Sequence, residues 1–259
     1  SVSVLVGQEA PPLFGVNPVS VASTGTPLFG AAGNLWLWLP QIRATGWLTP
    51  NARVRVGLEG TVLAPNAGEA QSAFATEPDA SEIAGRPSLE ARLVGRWTAA
   101  GREGEIGAGV HQGWLRNGLG ERVDSRAVGA SAIVPLGSFV EVRGEVFAGE
   151  ALAGLGGGGV AQNLSGGQPV STRGGWGQLV LLPASTVELG VGFGFDDPDD
   201  DDLGVASARA NNQVVAASVT WRPAPVLVGL EVRRIGTRYL TLEDRAMNTH
   251  INLAVGIEF

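Results

Sequence analysis

From Ile251 to the last residue the sequence alternates without a break. Ile251, Leu253, Val255, Ile257 and Phe259 fall on one face, and Asn252, Ala254, Gly256 and Glu258 on the other. A period of two is the mark of a β-strand, here with one greasy face and one small or polar face. One such strand fits a soluble sandwich as well as a membrane barrel. The constraint comes from its repetition, with regular punctuation, along the whole chain.

Period-two segments recur about twelve times, each roughly 8–12 residues long, the length that a tilted membrane-crossing strand needs. They read at 1–7, 34–47, 53–63, 88–98, 103–114, 124–135, 139–149, 173–182, 186–195, 212–221, 225–235 and 247–259. Tight turns are expected at 48–51, 99–102, 136–138, 183–185 and 222–224, and longer loops at 8–33, 64–87, 115–123, 150–171, 196–210 and 236–246. Short and long connections therefore alternate, as in outer-membrane barrels with short periplasmic turns and long outer loops. A soluble meander has no reason to keep that alternation. No apolar run reaches the roughly 18 residues of a membrane-spanning helix.

The seven tryptophans give an independent test. Trp47, Trp97 and Trp221 fall beside short turns, and Trp36, Trp38, Trp114 and Trp176 beside long loops. None is read at mid-strand, which is the distribution of two interfacial aromatic belts. The fold class expected is thus all-β: an antiparallel up-and-down transmembrane β-barrel forming a single domain over residues 1–259. About twelve strands are visible, and the chain starts inside one of them. It either closes as a small barrel or forms the last three-quarters of a larger one, and the start inside a strand favours the second.

If the Val, Leu and Ile face meets lipid, the other face lines the lumen. That face collects Arg43, Arg53, Arg55, Glu59, Glu90, Arg92, Arg96, Glu105, His111, Glu141, Arg143, Glu145, Glu188, Glu231 and Arg233. Unpaired burial of so many charges would cost several kcal/mol each, on the order of a whole domain's stability, so the lumen is expected to be wet or plugged by a polar loop. Arg43, Arg53, Arg55, Glu59, Arg92, Arg96, Glu141, Arg143, Glu145 and Arg233 are the pore-lining candidates. Opposed basic and acidic walls would orient dipolar solutes. A cross-strand network of Arg–Glu pairs that merely stiffens the wall is the plainer reading.

Composition narrows the function classes. The chain has no cysteine, which removes disulfides and thiolate metal sites, and all 18 basic residues are Arg. A net charge of -7 argues against nucleic acid, which calls for a basic stripe. The run Asp196-Asp197-Pro198-Asp199-Asp200-Asp201-Asp202 lacks the Gly and terminal Glu of an EF-hand loop. It reads as a solvated loop, with Asp196, Asp197, Asp199 and Asp200 as weak cation candidates and no other metal site expected. His111 and His250 lack a neighbouring nucleophile, so no catalytic residue, no enzyme activity and no cofactor is expected.

Several short motifs, in this order, resemble the DcaP-like family of outer-membrane porins. They are Val4-Leu5-Val6-Gly7-Gln8 with Asn17-Pro18 downstream, Pro40-Gln41-Ile42-Arg43, the Phe195-Asp196-Asp197-Pro198-Asp199-Asp200 segment, and the terminal aromatic. The resemblance implies a sixteen-stranded, usually trimeric barrel of the bacterial outer membrane that passes small solutes, often anionic ones. It also implies that Arg43 is a lumen residue and that Phe259 ends the signal read by the barrel-assembly machinery. Twelve strands rather than sixteen are visible here. The expected function is a passive diffusion channel in a Gram-negative outer membrane. Its expected partners are outer-membrane lipid, lipopolysaccharide, two further copies of the chain and small solutes in transit. The alternative is a non-conducting barrel that serves as a structural anchor or surface-assembly partner.

Overall fold

The structure, a computed structural model, describes residues 1–21, 26–30, 32–51, 53–68, 77–204 and 208–257. Twelve long strands form one antiparallel sheet. In chain order they are β1 (Val2–Glu9), β2 (Leu39–Asn51), β3 (Val54–Leu63), β4 (Ser88–Ala99), β5 (Arg102–Arg116), β6 (Arg122–Pro135), β7 (Val140–Glu150), β10 (Ser171–Ala184), β11 (Val187–Pro198), β12 (Arg209–Trp221), β13 (Val226–Tyr239) and β14 (Ala246–Ile257). The two-residue strands β8 (Leu164–Ser165) and β9 (Gln168–Pro169) make a separate small hairpin. Every long strand pairs with its sequence neighbours, so the topology is the up-and-down one that the alternating connections predict.

The alternation fixes the faces. Val4, Ile42, Leu58, Leu93, Ile106, Val128, Val146, Val191, Val215 and Leu253 are exposed, whereas Glu59, Arg92, His111, Glu141, Gln178, Asn212 and Glu231 are buried. This inverts a soluble protein and suits lipid outside and polar contacts inside. The register is held at the rims by tight turns. Between β4 and β5, Ala100 (φ 50°) and Gly101 (φ 75°) both take positive φ, as a two-residue hairpin turn matched to strand twist demands. The turn expected at 48–51 is tighter and lies further on, because β2 continues through Asn51, which pairs with Val54.

Three local expectations are corrected. Residues 34–38 are not strand: Asn34 and Leu35 are pinned to Glu145 on β7, so β2 starts only at Leu39. Asp196–Pro198 are not loop but the end of β11, because Asp196 is buried and takes hydrogen bonds from Thr172 and the backbone of Gly159 and Val160. The tryptophans do not all form belts. Trp97, Trp114 and Trp221 sit at outward positions, but Trp176 points inward and is buried at 4% exposure, and Trp47 also points inward. A short helix, α1 (Ala80–Ala84), was not foreseen; Asp79 and Glu82 close a capping box at its start.

Among the described residues β1 and β14 each pair on one side only, so the sheet has two free edges and is not closed. Their outward side chains (Val2, Val4, Val6; Ile251, Leu253, Val255) are among the most exposed apolar groups of the chain. In a bilayer core, unpaired strand edges cost several kcal/mol per group, so both edges require hydrogen-bonding partners there. The terminal Glu258 and Phe259 lie outside the described residues.

Candidate functional site

The concave face is where the sequence places its charge, and two systems occupy it. The first is a wall network. Arg92 on β4 is 3% exposed and reaches Glu59 on β3 (3.4 Å), Glu105 on β5 (2.7 Å) and Ser131 on β6 (2.9 Å). Arg96 joins the same Glu105 at 2.6 Å. Further round, Glu141 on β7 takes both Arg102 and Arg143. A guanidinium with several donors can bridge carboxylates on neighbouring strands, which a lysine ammonium does less well.

The second system is the connection between β1 and β2, residues 10–38. Its described parts lie across the inner face as a strap, and wall residues bond its backbone one after another. Arg43 reaches Ala10 O, and Glu90 accepts Leu13 N–H at 3.1 Å while also bonding His111 at 2.9 Å. Arg143 donates to Asn17 O at 3.1 Å. Gln178 binds Val19 twice, accepting from its N–H (2.8 Å) and donating to its C=O (2.9 Å). Ser20 donates to Glu231, and Arg233 reaches the carbonyls of Pro27 and Leu28 at 3.4 Å. On the return, Glu145 accepts from Asn34 Nδ2 and Leu35 N, both at 2.9 Å. Irregular backbone that is buried needs such partners for each N–H and C=O.

Apolar anchors complete the seating. Leu13 and Phe14 pack in one buried cluster with Leu35, Leu63 and Phe147, while Leu28 and Phe29 pack in a second with Trp176 and Val214. Phe14 meets Phe147 edge-on (6.1 Å between centroids), and Phe29 stacks on Trp176 (5.5 Å). The wall makes room with glycine: an added Cβ at Gly192 would come within 2.8 Å of Phe29, and one at Gly229 would run into Val21.

The predicted site residues therefore divide. Glu59, Arg92, Glu141 and Glu145 are buried in the two systems. Arg43, Arg143 and Arg233 are half-buried and hold the strap. Arg53 and Arg55 are exposed at the short-turn rim, with Arg96 half-buried beside them. Of the cation candidates Asp196 stands apart, while Asp197, Asp199 and Asp200 line one cleft and are each engaged in other bonds. Asp196 is inside, Asp197 pairs with Arg173 at 3.0 Å, Asp199 caps a short turn, and Asp200 pairs with Arg238 at 2.8 Å. The last two pairs border an outer cleft of about 460 Å³.

The sequence shows 8–33 only as a long loop and does not say that this is the one that enters the lumen. A signal was present: Pro-Leu-Phe-Gly occurs at 12–15 and again at 27–30, and both copies place their Leu and Phe in the buried clusters. Gln178 was missed, although it stands at an inward position between outward Gly177 and Leu179.

An antiparallel meander with an apolar exterior, a charged interior and an inward-folded connection is a porin fold. Solved structures bear out that class. The outer membrane channel DcaP of Acinetobacter baumannii is similar with a TM-score of 0.68 at 16% identity, over 98% of this chain and 70% of that one. The high-pH structure of Pseudomonas putida OprB gives 0.57 at 12% identity, over 98% and 69% of the two chains. At these identities the likeness is one of fold. No protein-family model and no curated protein sequence matches the chain.

Proposed function

We propose that this chain is a passive diffusion channel of a Gram-negative outer membrane, for small hydrophilic solutes with a preference for anions. The observation that carries the reading is the inverted barrel wall, apolar and exposed outside, charged inside. The strap is then the constriction, and Arg43, Arg53, Arg55, Glu59, Arg92, Arg96, Glu141, Arg143, Glu145 and Arg233 shape the passage, directly at the rim or by holding the strap. No catalytic step is involved. Lipid and lipopolysaccharide cover the outer face, the working unit is a homotrimer, and residues 1–259 act as one barrel domain.

The test is single-channel recording of the purified protein in a planar bilayer, with reversal potential measured in a salt gradient. Stepwise openings with an anion-selective reversal potential are expected, closing in threes for a trimer. The burial of the strap favours a second reading, a barrel that does not conduct and serves as an anchor in a surface assembly. Persistent silence from protein that is folded and inserted would select it and overturn the channel.

A further inference from the structure

At the short-turn rim one inward aromatic residue meets two positive charges. Trp47, near the end of β2, has Arg55 Cζ 5.3 Å and Arg96 Cζ 5.0 Å from its ring centroid. Arg55 and Arg96 are direct cross-strand neighbours on β3 and β4. Like charges placed opposite one another destabilise a sheet unless an opposite charge offsets them.

The nearby carboxylates offset them only in part. Glu105 is shared between Arg96 (2.6 Å) and the buried Arg92 (2.7 Å). Glu103 touches Arg55 at 3.4 Å with its own side chain 74% exposed, and an exposed pair of that kind holds weakly. Arg53, also exposed, lies in the turn just before β3. Four guanidiniums (Arg53, Arg55, Arg92, Arg96) thus stand against three carboxylates (Glu59, Glu103, Glu105), in a chain whose net charge is -7. The strap bonds described above do not involve Trp47, Arg55 or Arg96, so the strap takes none of their donors, and Glu103 and Glu105 engage only Arg55 Nη2 and Arg96 Nε.

We propose that Arg55, Trp47 and Arg96 form an oxyanion-binding clamp at the short-turn mouth. An indole holds a guanidinium by its face and leaves the N–H edge free, and each edge pairs two oxygens of a carboxylate, sulfate or phosphate. Two edges side by side fit a small dianion. Glu103, exposed and held only by its 3.4 Å pair with Arg55, is the group that the ligand displaces. The clamp rests on the channel reading for its place on a solute's route, but not for its ability to bind.

The experiment is calorimetric titration of the detergent-folded full chain with inorganic sulfate and with succinate. Folding of each variant is checked by heat-modifiable gel mobility. Both probes are expected to bind the native chain. Affinity should drop about tenfold or more, at least 1.4 kcal/mol, in R55Q/R96Q. W47L should lose a similar factor with both arginines intact, and W47F should lose less because it keeps an aromatic face. R209Q, at an exposed site on the opposite end of β12, should bind as the native chain does. Absence of binding to the native chain, or unchanged binding by folded R55Q/R96Q, overturns the clamp. Binding through these arginines by a protein that is silent in bilayers keeps the clamp and sinks the channel. Conduction without binding does the reverse.

Discussion

Replacing Phe29 with alanine is the sharpest way to ask whether the strap is what fills the barrel. The ring is fully buried, stacked on Trp176, and lies over Gly192 and Gly194. Truncating a buried Phe costs about 3–5 kcal/mol. The lower end applies here, about 3 kcal/mol, because the strap is a connection and can settle partway into the space left. At 1.4 kcal/mol per decade, that moves the docked–undocked balance of the strap about a hundredfold. The strand ladder keeps all its own hydrogen bonds, so the loss falls on the strap and not on the wall. Phe14 lies in a separate cluster, so the Phe14→Ala effect should add to it. The readouts are bilayer conductance and the rate at which a water-soluble maleimide labels Val19→Cys, placed between the two anchors. Larger or noisier openings and labelling faster by about two orders of magnitude are expected. If F14A/F29A labels at the native rate with native conductance, the anchors do not hold the strap and the reasoning fails.

Three further outcomes follow from the same geometry. Glu145→Ala strips the acceptor from Asn34 Nδ2 and Leu35 N–H and should cost about 2–4 kcal/mol in detergent unfolding, whereas Glu145→Gln, which keeps one acceptor oxygen, should cost clearly less; equal losses would count against this pairing. Arg92→Met leaves Glu59 and Glu105 short of their shared partner inside the wall and should cost about 3–5 kcal/mol, while Arg173→Ala, at an exposed pair, should stay within about 1 kcal/mol. In single-tryptophan variants, brominated lipid should quench Trp221, which faces outward and is half exposed, and should leave Trp176 bright; quenching of Trp176 would place the wall's faces the other way round.

The wall was legible because a strand's side-chain period is local. Alternation such as Val54, Val56 and Leu58 against Arg55, Gly57 and Glu59 needs no knowledge of the partner strand, and the order of short and long connections then dictates nearest-neighbour pairing. All twelve strands, their order and their inner and outer faces follow from that alone. The interior was not legible, because what fills it is brought there by distant contacts. Nothing near Asn34 says that Glu145 will hold it out of a strand, and nothing near Trp176 says that Phe29 will stack on it. The inward charges read as candidates to line an aqueous path, and nothing local shows that several of them also satisfy a buried backbone.

What the sequence determined by itself is therefore the sheet: its topology, its inverted polarity and the class of fold. Periodicity and turn chemistry are properties of neighbouring residues, and they suffice for a meander. What only the tertiary structure decided is the content of the barrel: a strap seated by two Pro-Leu-Phe-Gly anchors on wall glycines, and a rim where Trp47 carries two arginines. The strap's seat depends on which strands curve to face one another, the rim on side-chain reach across three neighbouring strands, and a two-residue period encodes neither.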